Sequence, residues 1–245
     1  FRLLSEEKLR RAEKDGEKTV SGTLGVKDGV LAFTFPDFAV TVEEEKKHAA
    51  DPKAAEEVKS ELNEIIGLSE VKDYVLSLEQ NYIIQRLREA RGMKADVPTM
   101  HMIFTGNPGT GKTTIARLVS RYLKAMGVLS GGQLIEVTRA DLVGKYVGHT
   151  APLTQQVIRS ALGGVLFIDE AYSLYRGADD SFGLEAIDTI VKGMEDHRED
   201  LIVILAGYTK EMEEFLTANS GLRSRFPNII EFPDYTAEEL LAITK

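Results

Sequence analysis

The chain has 245 residues, is 43% hydrophobic and carries a formal net charge of −9. It fits one or two domains with a substantial core; no apolar stretch nears the roughly 20 residues of a membrane span, and no leader segment is visible, so a cytoplasmic protein is expected. Cysteine is absent, which excludes disulfides and thiolate metal sites; the four histidines (His48, His101, His149, His197) are scattered, against a zinc site, and the acidic balance argues against nucleic acid as a partner, short of a local basic channel.

The first residue is Phe1, as expected of a fragment or a processed chain. Residues 1–15 are charged, with thin apolar support from Leu3, Leu4 and Leu9, and suggest a short helix or a frayed end. Residues 20–42 turn to a β pattern. Asp28-Gly29 sits between two β-prone runs as a hairpin signal. Phe33 and Phe35, then Phe38, Val40 and Val42, alternate at period two. A small N-terminal β extension is therefore expected within residues 1–50, closed by a charged linker over 43–51.

Asp51-Pro52 gives an N-cap followed by Pro at the first helical position. Ala55, Val58, Leu62 and Ile65 follow at helical spacing, and Gly67 fits the stop. A second helix begins at Ser69 and carries Val71, Tyr74, Leu78, Tyr82 and Leu87 before Gly92. After Pro98 strands and helices alternate. The candidate strands are 100–105, 133–138, 164–168, 201–206 and 228–232. Alternation of this kind predicts an α/β layered domain over 51–235, with a five-stranded, mostly parallel sheet between helices. The last residues, Ile243-Thr244-Lys245, fall inside a segment that reads as the start of another helix.

Gly106-Asn107-Pro108-Gly109-Thr110-Gly111-Lys112-Thr113 is a phosphate-binding loop pattern. It follows the apolar run 100–105 and opens a helix over 114–126, with apolar positions at Ile115, Leu118, Val119, Tyr122 and Leu123. That strand–loop–helix context separates a true phosphate loop from a chance match. Glycines let backbone N–H groups close around phosphate oxygens, and the helix N-terminus adds its positive dipole end. Lys112 is placed to reach the β- and γ-phosphates and Thr113 to hold Mg²⁺. Thr114, next in the chain, completes the set of residues expected to touch nucleotide.

Val165-Leu166-Phe167-Ile168-Asp169-Glu170 is the second signature. Four apolar residues read as a buried parallel strand, which delivers two acids at its carboxyl end, where ligands bind in open α/β sheets. Asp169 can hold Mg²⁺ through water, and Glu170 can act as general base on the attacking water. No Asn-Lys-x-Asp guanine-reading pattern occurs, which favours ATP over GTP.

Together these residues resemble an AAA+ ATPase. Residues 106–113 match the Walker A motif, 165–170 match Walker B, and the resemblance covers about residues 60–245. Within AAA+ the chain resembles the group of stage V sporulation protein K, the red-type Rubisco activases (CbbX/CfxQ) and the type VII secretion ATPases. The segments carrying this are 141–150 (DLVGKYVGHT), 167–174 (FIDEAYSL) and Leu205-Ala206-Gly207-Tyr208. The resemblance implies the large α/β subdomain of a P-loop ATPase, with residues 236–245 as the start of a truncated helical lid.

It implies further roles. Lys145-Tyr146-Val147-Gly148 is similar to the first pore loop of threading motors, where an aromatic grips a polypeptide; from local sequence alone Tyr146 reads equally as a core residue. Residues 176–183 fall where a second pore loop would lie, and read equally as a surface loop. Gly221-Leu222-Arg223-Ser224-Arg225-Phe226 resembles the arginine-finger segment, with Arg225 the better match and Arg223 the second. Ile66-Gly67-Leu68 resembles the segment lying against adenine, so Gly67 and Leu68 join the expected nucleotide contacts. Many AAA+ proteins carry Asn after the fourth strand as a sensor. Here the stretch reads Ala206-Gly207-Tyr208-Thr209, so a hydroxyl of Tyr208 or Thr209 serves, or the sensor is absent.

The functional expectation is an ATP-hydrolysing homo-oligomeric ring, a hexamer, that remodels a protein client through a central pore. The competing expectations are a DNA-associated AAA+ ATPase of helicase or clamp-loader type, and a nucleotide-gated scaffold with little turnover.

Overall fold

The computed structural model describes residues 23–27, 30–35, 38–41, 50–90 and 99–244. The expected features at 1–15, the Asp28-Gly29 turn, Val42, most of the 43–51 linker, Gly92 and Pro98 lie outside these residues. After residue 47 the chain divides into two compact units. The first holds β1 (Thr23–Lys27), β2 (Val30–Phe35) and β3 (Phe38–Thr41), an antiparallel sheet in chain order. Phe33 is opposite Val40 and Phe35 opposite Phe38, so the period-two apolar positions are matched across β2 and β3.

The second unit starts where the sequence places a helix. Asp51 caps α1 (Pro52–Glu64) by accepting from the N–H groups of Lys53 and Ala54, both at 3.1 Å, a cap worth about 1 kcal/mol. Ala55, Val58 and Leu62 are its buried stripe. A turn through Gly67 and Leu68, both at positive φ, leads to α2 (Ser69–Ala90). Val71 and Leu78 of α2 are buried, but Leu87, expected on the same stripe, is 54% exposed. Among the described residues, no helix is long and apolar enough to cross a membrane.

Five parallel strands follow: β4 (Met102–Gly106), β5 (Leu134–Val137), β6 (Gly164–Ile168), β7 (Leu201–Gly207) and β8 (Asn228–Phe232). Their order is β5-β6-β7-β4-β8. The three middle strands are buried throughout and the two outer ones only in part. This explains the uninterrupted apolar runs of β6 and β7, since a strand covered on both faces has no polar side.

Helix α3 (Lys112–Ala125) packs Ile115, Val119 and Leu123 on the face that carries Phe104, Phe167 and Ile204, together with α1 and α2. Between β5 and β6 come the short α4 (Arg139–Leu142) and α5 (Thr150–Ala161); a 3₁₀ turn (Ala171–Leu174) and α6 (Ser181–Asp196) follow β6. After β7 come α7 (Thr209–Ala218) and α8 (Ser220–Arg225). These elements cover the other face, where Ile158, Ile190 and Phe215 meet Ile103, Leu166 and Val203. The last helix, α9 (Ala237–Ile243), buries none of its residues.

Two polar links tie these layers. Glu79 of α2 accepts from Tyr122 of α3 at 2.8 Å and pairs with Lys59 of α1 at 2.9 Å. Arg139 of α4 donates to Ser173 and Leu174 carbonyls at 3.0 Å and grips Asp180 with two bonds at 2.7 and 3.0 Å. The guanidinium holds the Asp180 carboxyl below its usual range. It thereby joins the segment before the 143–149 loop to the turn that follows Asp169-Glu170.

His101 precedes β4 and is buried against Phe226, at a ring separation of 5.8 Å. Its Nδ1 accepts from the Val203 N–H at 3.0 Å, standing in for a carbonyl at the sheet's end. Burial pulls its pKa from 6.5 down to about 4. The neutral ring is therefore the folded form. Its contribution is complete above pH 6.5 and is lost as pH falls toward 4, about 3 kcal/mol across that window. His101→Phe should give a smaller stability loss between pH 6.5 and 4 in urea titrations. At neutral pH it should cost about 1–3 kcal/mol, because the Val203 N–H is left without an acceptor. Acid slopes equal to wild type would remove His101 as their source.

Candidate nucleotide site

The phosphate loop sits at the carboxyl end of β4. Gly111, at φ 91°, is the N-cap of α3, so the helix begins at Lys112, two residues before the expected start at 114. Lys112 and Thr113 thus stand in the first turn, where backbone N–H groups have no partner within the helix. Gly106 has φ 144°, and a Cβ there would lie 2.4 Å from the Phe232 carbonyl oxygen, so only glycine fits. At Gly109 (φ 75°) a Cβ would meet nothing within 4 Å, which leaves the loop's tip facing open space.

Inside the loop Lys112 Nζ donates to the carbonyls of Gly106 (2.9 Å) and Asn107 (2.7 Å), and Thr110 Oγ1 donates to Asn107 O (2.8 Å). Burial lowers the Lys112 pKa and the Asp169 charge opposes that shift. The ammonium is thus held by carbonyls that a phosphate would replace with a stronger, charged partner.

A pocket of about 380 Å³ opens beside the loop. Pro108, Gly109, Gly111 and Lys112 line one side, with Thr113 and Thr114 from α3. Asp169 and Glu170 enter from the end of β6, and Gly207 and Tyr208 from the end of β7. The strand order is what brings them together, because β6, β7 and β4 are successive neighbours. Glu170 has φ 46° and ψ 45°, a left-handed conformation rare for a side chain of its size. Its N–H is bonded to Asp169 Oδ1 at 2.9 Å. The chain therefore bends sharply after β6, with Glu170 exposed at the rim and Asp169 half-buried below.

Asn107 and Thr110 are not on the pocket wall. Asn107 is exposed with its amide turned to Asp234, and Thr110 is buried. Gly67 and Leu68 approach from the α1–α2 turn. Leu68 Cδ1 lies 3.6 Å from the point where a Cβ on Gly111 would stand, and Lys72 Nζ holds the turn by donating to the carbonyls of Ile65 and Asn63. Of the sensor alternatives, Tyr208 reaches the pocket. Its ring stacks on Tyr172 at 5.7 Å, and the Tyr172 hydroxyl is pushed up to about 12 by burial and by neighbouring Glu170.

Tyr146 is not a core residue. It is 68% exposed and Val147 86% exposed. His149 closes the turn beneath them through its N–H to Tyr146 O and an edge-on contact of the two rings at 5.5 Å. Arg225 does not line the pocket. Its Nε donates to Glu195 of α6 at 3.0 Å, Nη2 donates to the same carboxylate oxygen, and Nη1 donates to Gly221 O at 2.9 Å. Arg223 is exposed.

The glycine cradle, the cation at its base, and the hydroxyl and carboxylate oxygens of Thr113 and Asp169 suit a nucleotide phosphate with Mg²⁺. Among the described residues no cluster of His, Cys, Asp and Glu suits a dedicated metal centre.

A parallel sheet of this order, with a phosphate loop after one inner strand and paired acids two strands away, defines a P-loop nucleotide hydrolase fold. Residues 102–234 match the ATPase family associated with various cellular activities (AAA), and the chain belongs to that family. It is 48% identical over 200 residues to stage V sporulation protein K of Bacillus subtilis (strain 168), covering 82% of this chain and 62% of that protein. It is 51% identical over 191 residues to protein CbbX of Cereibacter sphaeroides (77% and 62%). It is 51% identical over 183 residues to the chloroplastic ribulose bisphosphate carboxylase/oxygenase activase of Cyanidioschyzon merolae (74% and 62%). The chain thus spans under two thirds of these relatives' length. The AAA domain of FIGL-1, solved in complex with ADP, shares the fold at a TM-score of 0.53 and 22% identity, covering 74% of this chain and 58% of that one.

Proposed function

We propose that this chain is the ATP-binding and ATP-hydrolysing part of a cytoplasmic ring motor, a hexamer, that remodels a protein client through a central pore. The carrying observation is the convergence of Lys112, Thr113, Asp169 and Glu170 on one pocket from the ends of two strands. Backbone N–H groups of Asn107 and of 109–113, with the Lys112 ammonium, bind the phosphates; Pro108 lines the wall beside them and Thr114 lies next to them. Thr113 and Asp169 would hold Mg²⁺, which would supply neutralising charge to the phosphate oxygens. Glu170 accepts the proton of the attacking water. Tyr208, on the wall of the same pocket, serves as the sensor, and Gly67 and Leu68 face the base. Arg225 serves a neighbouring subunit's site.

The exposed Tyr146-Val147 tip supports the pore-loop role, since an aromatic held out on a closed turn can grip a chain without reading its sequence. Residues 176–183 hold the position of a second pore loop, with 176–180 as the loop proper and 181–183 as the first turn of α6, and residues 236–245 open the lid. The activase name denotes action on another protein, which supports a protein client.

Lys112→Ala tests the base of this reading. Loss of a charge-assisted phosphate contact should cost about 1.5–3 kcal/mol, or roughly 10- to 150-fold in the Kd for Mg-ATP. Calorimetric titration measures it. Unchanged affinity in the variant would overturn the role of the loop.

A further inference from the structure

We infer that Asp234 and Tyr235 are positioning residues for the phosphate loop, which they hold in its binding geometry from behind. The inference rests on the nucleotide reading above. Pro233 ends β8, and residues 233–236 run as a strap into α9. That helix starts with a capping box, in which Thr236 N–H donates to Glu239 Oε2 at 2.7 Å and Glu239 N–H to Thr236 Oγ1 at 3.2 Å.

The strap meets the loop at both ends. The Phe232 carbonyl backs Gly106. Both carboxylate oxygens of Asp234 accept from Asn107 Nδ2, each at 2.9 Å. The Tyr235 hydroxyl lies 3.5 Å from Thr110 O and 3.2 Å from the point where a Cβ on Gly111 would stand. The same ring and Glu239 lie against Gly67. Residues 106–107 and 110–111 are thereby gripped, while Gly109 stays open.

Asp234 acts through Asn107 on Lys112. The Asn107 carbonyl accepts from Lys112 Nζ and Thr110 Oγ1, so rotation of Asn107 would disturb both. A carboxylate this close to an anion site opposes phosphate by charge, and its grip on Asn107 offsets that cost. A loop already held in place binds without having to be ordered first.

The test is Mg-ATP and Mg-ADP titration calorimetry with steady-state turnover on the whole chain. Asp234→Ala should raise both Kd values about fivefold or more and leave kcat within about twofold. Asp234→Asn keeps an acceptor for Asn107 and removes the charge, so it should bind at least as tightly as wild type. Asn107→Ala should raise both Kd values by as much as Asp234→Ala, and in affinity the double variant should be no worse than either single one. Tyr235→Ala should weaken binding about fivefold, and Tyr235→Phe within about twofold, because the ring supplies the wall. Wild-type affinity in Asp234→Ala, tighter binding in both Asp234 variants, or additive effects in the double variant would each overturn the inference. These outcomes are distinct from failure of the nucleotide reading, which would show as ATP binding indifferent to Lys112→Ala. Asp234 is exposed, so its variants should melt with wild type; if they do not, the Tyr235 pair decides.

Discussion

Glu170→Gln is expected to bind Mg-ATP with near wild-type affinity and to lose about 100-fold or more of its turnover. The geometry supports a split of this kind. Glu170 is exposed at the rim of the pocket, whereas the Lys112 ammonium lies inside the loop and Asp169 lies deeper. The amide keeps the shape and the left-handed backbone at Glu170, so the bend after β6 survives. Only the proton acceptor is removed, and that loss is felt in the transition state rather than in binding. Titration calorimetry and a phosphate-release assay measure the two quantities separately. An equal loss of affinity and turnover would mean that Glu170 holds the metal or the fold and is not the base.

The residues of that site were legible because each signature is local. β6 reads as a buried strand from four successive apolar residues, and it emerges buried on both faces. The loop pattern names its own neighbours. The helix start was less legible. The sequence places it at Thr114, but Gly111 adopts φ 91° and lets Lys112 enter the first turn. Leu87 shows a different limit. Helical spacing gives the face of α2, but not where its neighbours end, and Leu87 lies past them at 54% exposure.

Long-range features were not legible. Alternation of strands and helices predicts a parallel sheet, but not the order β5-β6-β7-β4-β8 that joins the two signatures. Asp234 meets Asn107 across 127 residues of chain, and an Asp-Tyr pair after Phe-Pro carries no pattern of its own. Tyr146 was balanced between core and surface because its neighbours, Lys145, Val147 and Gly148, suit either. The turn closed by His149 decides for the surface.

Arg225→Ala is expected to lower turnover about 100-fold where subunits are assembled, with ATP affinity nearly intact. In the single chain this guanidinium is occupied, with Nε and Nη2 both on Glu195 and Nη1 on Gly221 O. Such an exposed pair is worth only about 0–1 kcal/mol, so leaving it for a neighbour's phosphate costs little. A finger acting between subunits contributes mainly to charge developing in the transition state. Its effect should therefore appear only as mass rises. Light scattering gives the mass, and turnover per subunit is followed against protein concentration. Glu195→Ala separates the two roles of Arg225. If the ion pair is structural, either substitution should give the same defect. If Arg225 reaches a neighbour, Glu195→Ala should leave assembled turnover within a few-fold while Arg225→Ala removes it. Full turnover from a strictly monomeric chain, or undiminished turnover in assembled Arg225→Ala, would rule out action between subunits and with it the main mechanistic support for a ring.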